Sequence, residues 1–304
     1  MVWVSFLRTF QRFFIIPCSR SFFDPWSENR GPLYMTTDEI ERKHQEDLER
    51  IRNFRLMDDD FMTKCFDEKP EYIQLVLRII LGIPDLEVVD VRTQVFVENL
   101  LNRSVRLDVK AHDTRGKWMN VEIQRKDHGA GRKRARYNSS MMDVGLLEKG
   151  ADFEDLPEVW VIFITENDVI GRGEAIYQFE RCDIKTGDRF NDGSHIMYVN
   201  GSYRGNDDIG KLMHDFSCTN PSDMIFEPLA ERVRFFKESK EGVAIMCKAI
   251  EDMRNQERLE GIREGERAVA LRMLKSGKYT DEEIAEMSGL AIMEVKKLKA
   301  EVAA

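Results

Sequence analysis

Long apolar runs are missing from this 304-residue chain, and none approaches the roughly 18–20 residues that a bilayer-spanning helix needs. Cysteine is sparse and scattered. Cys18, Cys65, Cys182, Cys218 and Cys247 form no C-x-x-C pair and are odd in number. No zinc site or disulfide framework follows from them, so a reducing cytoplasm is the simpler expectation. The five histidines, His44, His112, His128, His195 and His214, form no sequence cluster. There is no phosphate-binding loop ending in lysine, no G-x-S-x-G elbow and no H-E-x-x-H helix, which removes the commonest nucleotide, acyl-transfer and zinc-protease readings. Net positive charge is also absent. A formal charge of −9 argues against a chain built wholly to coat nucleic acid.

What is present concentrates in residues 103–124. Val105, Leu107, Val109 and Ala111 alternate with Arg106, Asp108 and Lys110, and Met119, Val121 and Ile123 alternate with Asn120, Glu122 and Gln124. This period-2 pattern predicts two strands, each with one apolar face. Asp113-Thr114-Arg115-Gly116-Lys117 supplies the turn between them, with Gly116 free to take positive φ. A turn centred near Arg115 sets Asp108 opposite Glu122, each seven residues away. Directly opposed side chains lie roughly 5 Å apart at Cβ, where two carboxylates repel unless a cation sits between them. A solvated polar face is the ordinary reading of such a hairpin. Here the acids are ringed by bases: residues 100–140 hold eleven Lys/Arg and four acids, a local excess of +7. That is the electrostatic footprint expected for a phosphate backbone. A magnesium ion commonly takes one or two carboxylates plus waters and substrate phosphate, which Asp108 and Glu122 satisfy.

Arg106-Leu107-Asp108-Val109, Glu122-Ile123-Gln124, Arg134-x-x-Tyr137 and the upstream Leu56-Met57-Asp58-Asp59-Asp60-Phe61 occur between Leu56 and about Lys237. Together they resemble the PD-(D/E)xK nuclease superfamily, in its recombination-promoting nuclease, transposase-like branch. The resemblance implies an α/β fold, a restriction-endonuclease-like mixed sheet flanked by helices, together with a Mg²⁺ site (Mn²⁺ a substitute) and hydrolysis of DNA phosphodiesters. On this resemblance Asp108 and Glu122 are the metal ligands, with the Ile123 carbonyl completing the site. Gln124 stands where the superfamily usually has a catalytic lysine. It offers no charge, but it orients a water or donates to a phosphate oxygen. Lys110 and Lys126 share its strand parity and are candidates for the missing positive charge. Arg134 fits a phosphate clamp, and Tyr137, three residues on, lies on the same helix face. Asp60 and Glu71 are candidates for an additional acid near the metal. His112 and His128, though nearest the hairpin, are read as incidental. A nuclease-fold module that binds DNA or protein without useful cleavage is the alternative, and RNA is not distinguished from DNA by site chemistry.

Around this core, helices are expected over Thr37–Leu56 (capped by Thr37 or Asp38), Asp60–Cys65, Pro70–Leu81 and Arg132–Lys149. Strands are expected over Leu86–Asn99 and Val159–Thr165, the latter buried on both faces. Ile176–Cys182 and His195–Asn200 read as short strands extending the sheet. Gly201–Gly210 is polar and turn-rich, and no helix is read between it and Leu229. Leu229–Gln256 reads as one helix that continues to about Lys275. Thr280–Met287 and Ile292–Glu301, joined at Gly289, have helix–turn–helix spacing. Residues 239–304 carry thirteen acids and twelve bases, so a helical cap or a homodimer contact suits this end at least as well as a DNA reader. The expected division is residues 1–34 as an extension or a start assigned too early, 35–237 as the nuclease-like domain and 238–304 as a helical arm. Met1–Ser21 interleaves aromatics with Arg8, Arg12 and Arg20, so it lacks the unbroken apolar stretch of a signal peptide.

Overall fold

A computed structural model of the chain describes residues 36–98, 103–125 and 127–303. The chain divides into two units, residues 1–42 and 43–304. Of the first, the described part begins with a capping box. Thr36 Oγ1 accepts the Glu39 N–H at 3.2 Å and the Glu39 carboxylate accepts the Thr36 N–H at 2.7 Å. The cap of α1 (Thr37–Asn53) is therefore Thr36, one residue before the expected Thr37.

The second unit is built on one six-stranded sheet. Its strands are β1 (Val88–Val97), β2 (Val105–Asp113), β3 (Trp118–Gln124), β4 (Val159–Thr165), β5 (Ile176–Phe179) and β6 (Ser194–Asn200). Their spatial order is β1-β2-β3-β4-β6-β5. β1, β2 and β3 are antiparallel neighbours, β3, β4 and β6 run parallel, and β5 returns antiparallel to β6. This is the mixed α/β sheet expected from the sequence. The apolar run of β4 lies in the parallel centre, buried on both faces as its composition requires.

Helices cover the two faces unequally. One face carries α2 (Asp59–Phe66), α3 (Pro70–Leu81), α5 (Asp208–Ser217), α6 (Glu227–Glu238) and the first turns of α7 (Lys240–Ser276). Phe61, Leu77, Val109, Val121, Ile162, Phe216 and Phe236 belong to that core. The other face is covered by α4 (Arg132–Leu146), over Leu107, Val161, Phe163 and Tyr198. Beyond the sheet, the end of α7 packs with α8 (Asp281–Ser288) and α9 (Ile292–Ala303) around Ala270, Met273, Ile284, Val295 and Leu298. Thr280 and Glu283 form the capping box of α8. The helix expected from Leu229 onward is two helices, because Ser239 is extended and its side chain accepts the Gly242 N–H at 2.9 Å to start α7 afresh. Helix α5 departs from the turn-rich reading. Asp207 caps it, and Gly210 sits in its first turn because a Cβ there would meet the Gly205 carbonyl oxygen at 1.9 Å. That glycine answers a close backbone approach rather than a turn.

The hairpin alternation is broken, and the break matters for the site. Val109 and Ala111 join the core under α2 and α3, whereas Leu107 joins the core under α4, with Val105 packed against it. Four apolar residues expected on one face are thus shared between two. In β1 the same change separates Val91 from Val95 and Val97. The strand register is equal on both sides of the break: Thr93 pairs with Val109 and Val95 with Leu107. Gln94, which faces Asp108 in this register, has φ +52°. A single left-handed residue rotates the ladder without slipping it, and Asp108 lies at the rotation. Holding a glutamine there should invert ordinary strand preferences. Gln94→Gly is expected to leave the thermal midpoint unchanged or higher, while Gln94→Val lowers it by several degrees, about 1–2 kcal/mol. Thermal denaturation of the two variants checks this, and a valine better tolerated than glycine would contradict it.

Candidate active site

Asp108 and Glu122 meet where β2 and β3 part. The ladder is regular from His112–Trp118 to Val109–Val121, and the next step in register is Asp108 beside Glu122. There the carboxylates take over from backbone partners. Asp108 Oδ2 accepts the Ile123 N–H at 3.1 Å, and Glu122 Oε1 accepts the Asp108 N–H at 3.4 Å. Asn120 Nδ2 donates to Glu122 Oε1 at 3.1 Å, and Arg134 donates to Glu122 Oε2 at 2.8 Å. Among the described residues, nothing donates to Asp108 Oδ1. Both acids are buried, Asp108 8% and Glu122 0% exposed. Burial and then the Glu122 charge push the Asp108 carboxyl up to about 8. Burial also raises Glu122, against the downward pull of Arg134 and Asn120. The dry site thus holds two carboxyls against one bonded cation, Arg134 on Glu122, and Asp108 keeps an open oxygen. The donor set is all oxygen, which suits a hard divalent cation of the magnesium kind.

Arg134 is the third member of the constellation. It lies in the first turn of α4, which starts directly after the 3-10 turn Asp127–Ala130, and its second donor goes to the Gly129 carbonyl at 3.0 Å. Its guanidinium carbon sits 5.8 Å from the centre of the Phe163 ring, and Phe163 pairs with Glu122 across β3 and β4. Gln124 reaches the same spot. A Cβ on Gly129 would meet Gln124 Oε1 at 1.8 Å and Arg134 Nη1 at 3.7 Å, so the amide lies against the Gly129 backbone beside the guanidinium. Asp108, Glu122, Gln124 and Arg134 are therefore gathered at one place.

Other candidates fall elsewhere. The Lys110 ammonium sits over the Trp118 ring, 4.4 Å from its centre, and burial lowers its pKa. Lys126 lies outside the described residues. Tyr137 donates to the Arg103 carbonyl, so it and Arg134 share a helix face but not a partner. Asp60 is raised by burial and by Asp59, with Glu257 and Asp58 adding to the rise and Arg50 opposing it. Glu71 is exposed in the first turn of α3. Of the acids in these early helices, the one whose charge reaches Asp108 is Asp59, at the start of α2. Its signal is present in Asp58-Asp59-Asp60, but the triplet gives no means of ranking its three members. Asn120 is a second residue that sequence reasoning misses. Its parity with Glu122 is legible, but its role as a donor holding that carboxylate is not.

Arg134 also lines an open groove of about 860 Å³ with Arg103, Arg106, Lys133 and Arg136. No acid is among the lining residues that are described. Five of the eleven cations of the basic stretch thus line one groove, and one of them, Arg134, is the residue bonded to Glu122. At the end of β3, Arg125 and Arg55 are tied to Asp58 and Glu166 by ion pairs, 2.6 Å for Arg125–Asp58 and 2.8 Å for Arg55–Glu166. Those two cations are neutralised locally, whereas the groove cations outnumber their acids.

Among the described residues, no helix is long and apolar enough to cross a membrane. No curated protein and no solved structure matches the chain. Residues 77–202, which span β1 through β6, the acid pair and the groove, match the family model described as PD-(D/E)XK nuclease family transposase.

Proposed function

We propose that the chain is a Mg²⁺-dependent DNA endonuclease of the recombination-promoting, transposase-like kind. The observation that carries this reading is the buried, under-neutralised Asp108/Glu122 pair, joined through Arg134 to a groove lined by five cations. Asp108 and Glu122 would hold the metal, with the Ile123 carbonyl as a further oxygen. Bound there, a magnesium ion supplies Lewis acidity to a phosphoryl oxygen and lowers the pKa of a bound water. The rest falls to the protein. Arg103, Arg106, Lys133 and Arg136 hold the phosphate backbone along the groove. Arg134 brings to the site the positive charge that Gln124 lacks, in place of Lys110. Gln124 orients a water or a phosphate oxygen through its amide. A homodimer through the arm belongs to the same reading, with Leu259 and Ile262 exposed on α7.

One observation favours the rival, a nuclease-fold binding module. Arg134 occupies Glu122 Oε2, an oxygen the metal would use. Incubating purified protein with supercoiled plasmid, or with single-stranded RNA, separates the two readings when Mg²⁺, Mn²⁺ or EDTA is supplied. The nuclease reading expects open circles with Mg²⁺ or Mn²⁺ and intact plasmid with EDTA. Retarded but uncut DNA under every condition would replace it by the binding module, and cleavage of RNA alone would move the substrate to RNA.

A further inference from the structure

The C-terminal end of α5 gathers donors unlike the all-oxygen pair. His214, Asp215 and Cys218 each bring one ligand atom into a group whose members all lie within 4.8 Å of one another. His214 Nδ1 is 3.2 Å from Asp215 Oδ1 and 3.6 Å from Cys218 Sγ. In a tetrahedral zinc site, with bonds of about 2.0–2.1 Å to N and O and about 2.3 Å to S, the N···O edge is about 3.3 Å and the N···S edge about 3.6 Å. Both edges are matched.

The surroundings hold the donors in place. His214 and Cys218 are one helical turn apart at the end of α5, hence on one face. Asp215 is fully buried, and its carboxylate accepts the Ile225 and Phe226 N–H groups, both at 2.8 Å. These donors fix its orientation and leave a lone pair on Oδ1, as outer-shell donors do around a ligating carboxylate. The His214 side chain is 41% exposed, which opens the group to entering ions. A Cys-His-Asp nucleophile triad is the rival arrangement, and it requires acid and nucleophile on opposite ring nitrogens. Here Asp215 approaches Nδ1, and the sulfur lies nearer Nδ1 than Nε2, which is 3.9 Å away. One proton on Nδ1 cannot serve both partners, whereas an ion at the common centre contacts both.

We propose that His214, Asp215 and Cys218 form a three-ligand site for a zinc-class divalent cation, with water in the fourth position. A thiolate ligand selects a borderline ion over magnesium or calcium. The ion would tie the end of α5 to the segment that enters α6, apart from Asp108 and Glu122.

Cobalt(II) tests this directly, because thiolate-to-cobalt charge transfer absorbs only when sulfur is a ligand and is blind to the carboxylate pair. The full chain titrated with Co²⁺ should develop that band at one equivalent, and Zn²⁺ should bleach it. Cys218→Ser should abolish the band, Cys182→Ser should keep it, and His214→Gln should weaken Co²⁺ binding by about 10- to 100-fold or more. A second readout does not depend on the variants folding. Zn²⁺ should shield Cys218 of the unaltered protein from alkylation while the exposed Cys182 stays reactive. Absence of the band, its survival in Cys218→Ser, or equal alkylation of Cys218 with and without Zn²⁺ would overturn the proposal.

Discussion

Asp108→Asn is expected to abolish plasmid nicking, by at least about a thousandfold, while raising the thermal midpoint in EDTA by about 2–4 °C. The first effect follows because an amide cannot supply the anionic oxygen a magnesium ion requires. The second follows because the amide is neutral without the proton that burial and Glu122 force onto Asp108 on folding, while its oxygen still accepts the Ile123 N–H. About 1 kcal/mol moves the midpoint of a domain this size by that much. Opposite signs for activity and stability mark a site whose strain serves function. A midpoint that falls by several degrees would instead identify Asp108 as a structural hydrogen-bonding residue.

The same carboxyl gives a pH dependence. Its folded value, about 8, is above its ordinary value of 3.8. The folded state therefore binds the proton more tightly than the unfolded state does. This contribution to stability is fully present below about pH 4 and is lost as pH rises through about 8. Metal binding has the reverse dependence, since the proton must leave first, so metal affinity climbs over the same window.

Removing four groove cations together, as Arg103→Ala, Arg106→Ala, Lys133→Ala and Arg136→Ala, should weaken DNA binding by about 10²- to 10³-fold at moderate salt. It should also reduce the slope of log affinity against log salt by about 3.6, roughly 0.9 for each phosphate that is no longer neutralised. Folding should be untouched, because these side chains line an open groove rather than either core. Salt-dependent fluorescence anisotropy with a duplex, in EDTA to prevent cutting, measures both quantities. A slope unchanged in the variant would mean that DNA follows another surface.

Legibility tracks how local each signal is. The apolar run of β4, the proline start of α3 and the short helix α8 are set by neighbours within a few residues, and all three form where expected. The hairpin turn is likewise local, and its length fixes the register that puts Asp108 beside Glu122. What escapes depends on partners far away in sequence. Gly210 reads as a turn residue until Gly205 is seen against it. Gln94 gives no hint of positive φ, so period-2 patterning spreads one apolar face over residues that serve two cores. Arg134 reads as a phosphate clamp, and nothing in its spacing points to the Glu122 carboxylate twelve residues upstream. His214, Asp215 and Cys218 look like scattered donors because the helix that gathers them is hidden in a polar, glycine-rich stretch.

The most direct test of the central claim is a calorimetric titration of the full chain with Mg²⁺ at pH 7, in two buffers of different ionisation heat. The expected result is a binding event abolished by Asp108→Asn, with close to one proton released per ion at pH 7 and almost none at pH 9. Binding that persists in Asp108→Asn, or that releases no proton at pH 7, would contradict it.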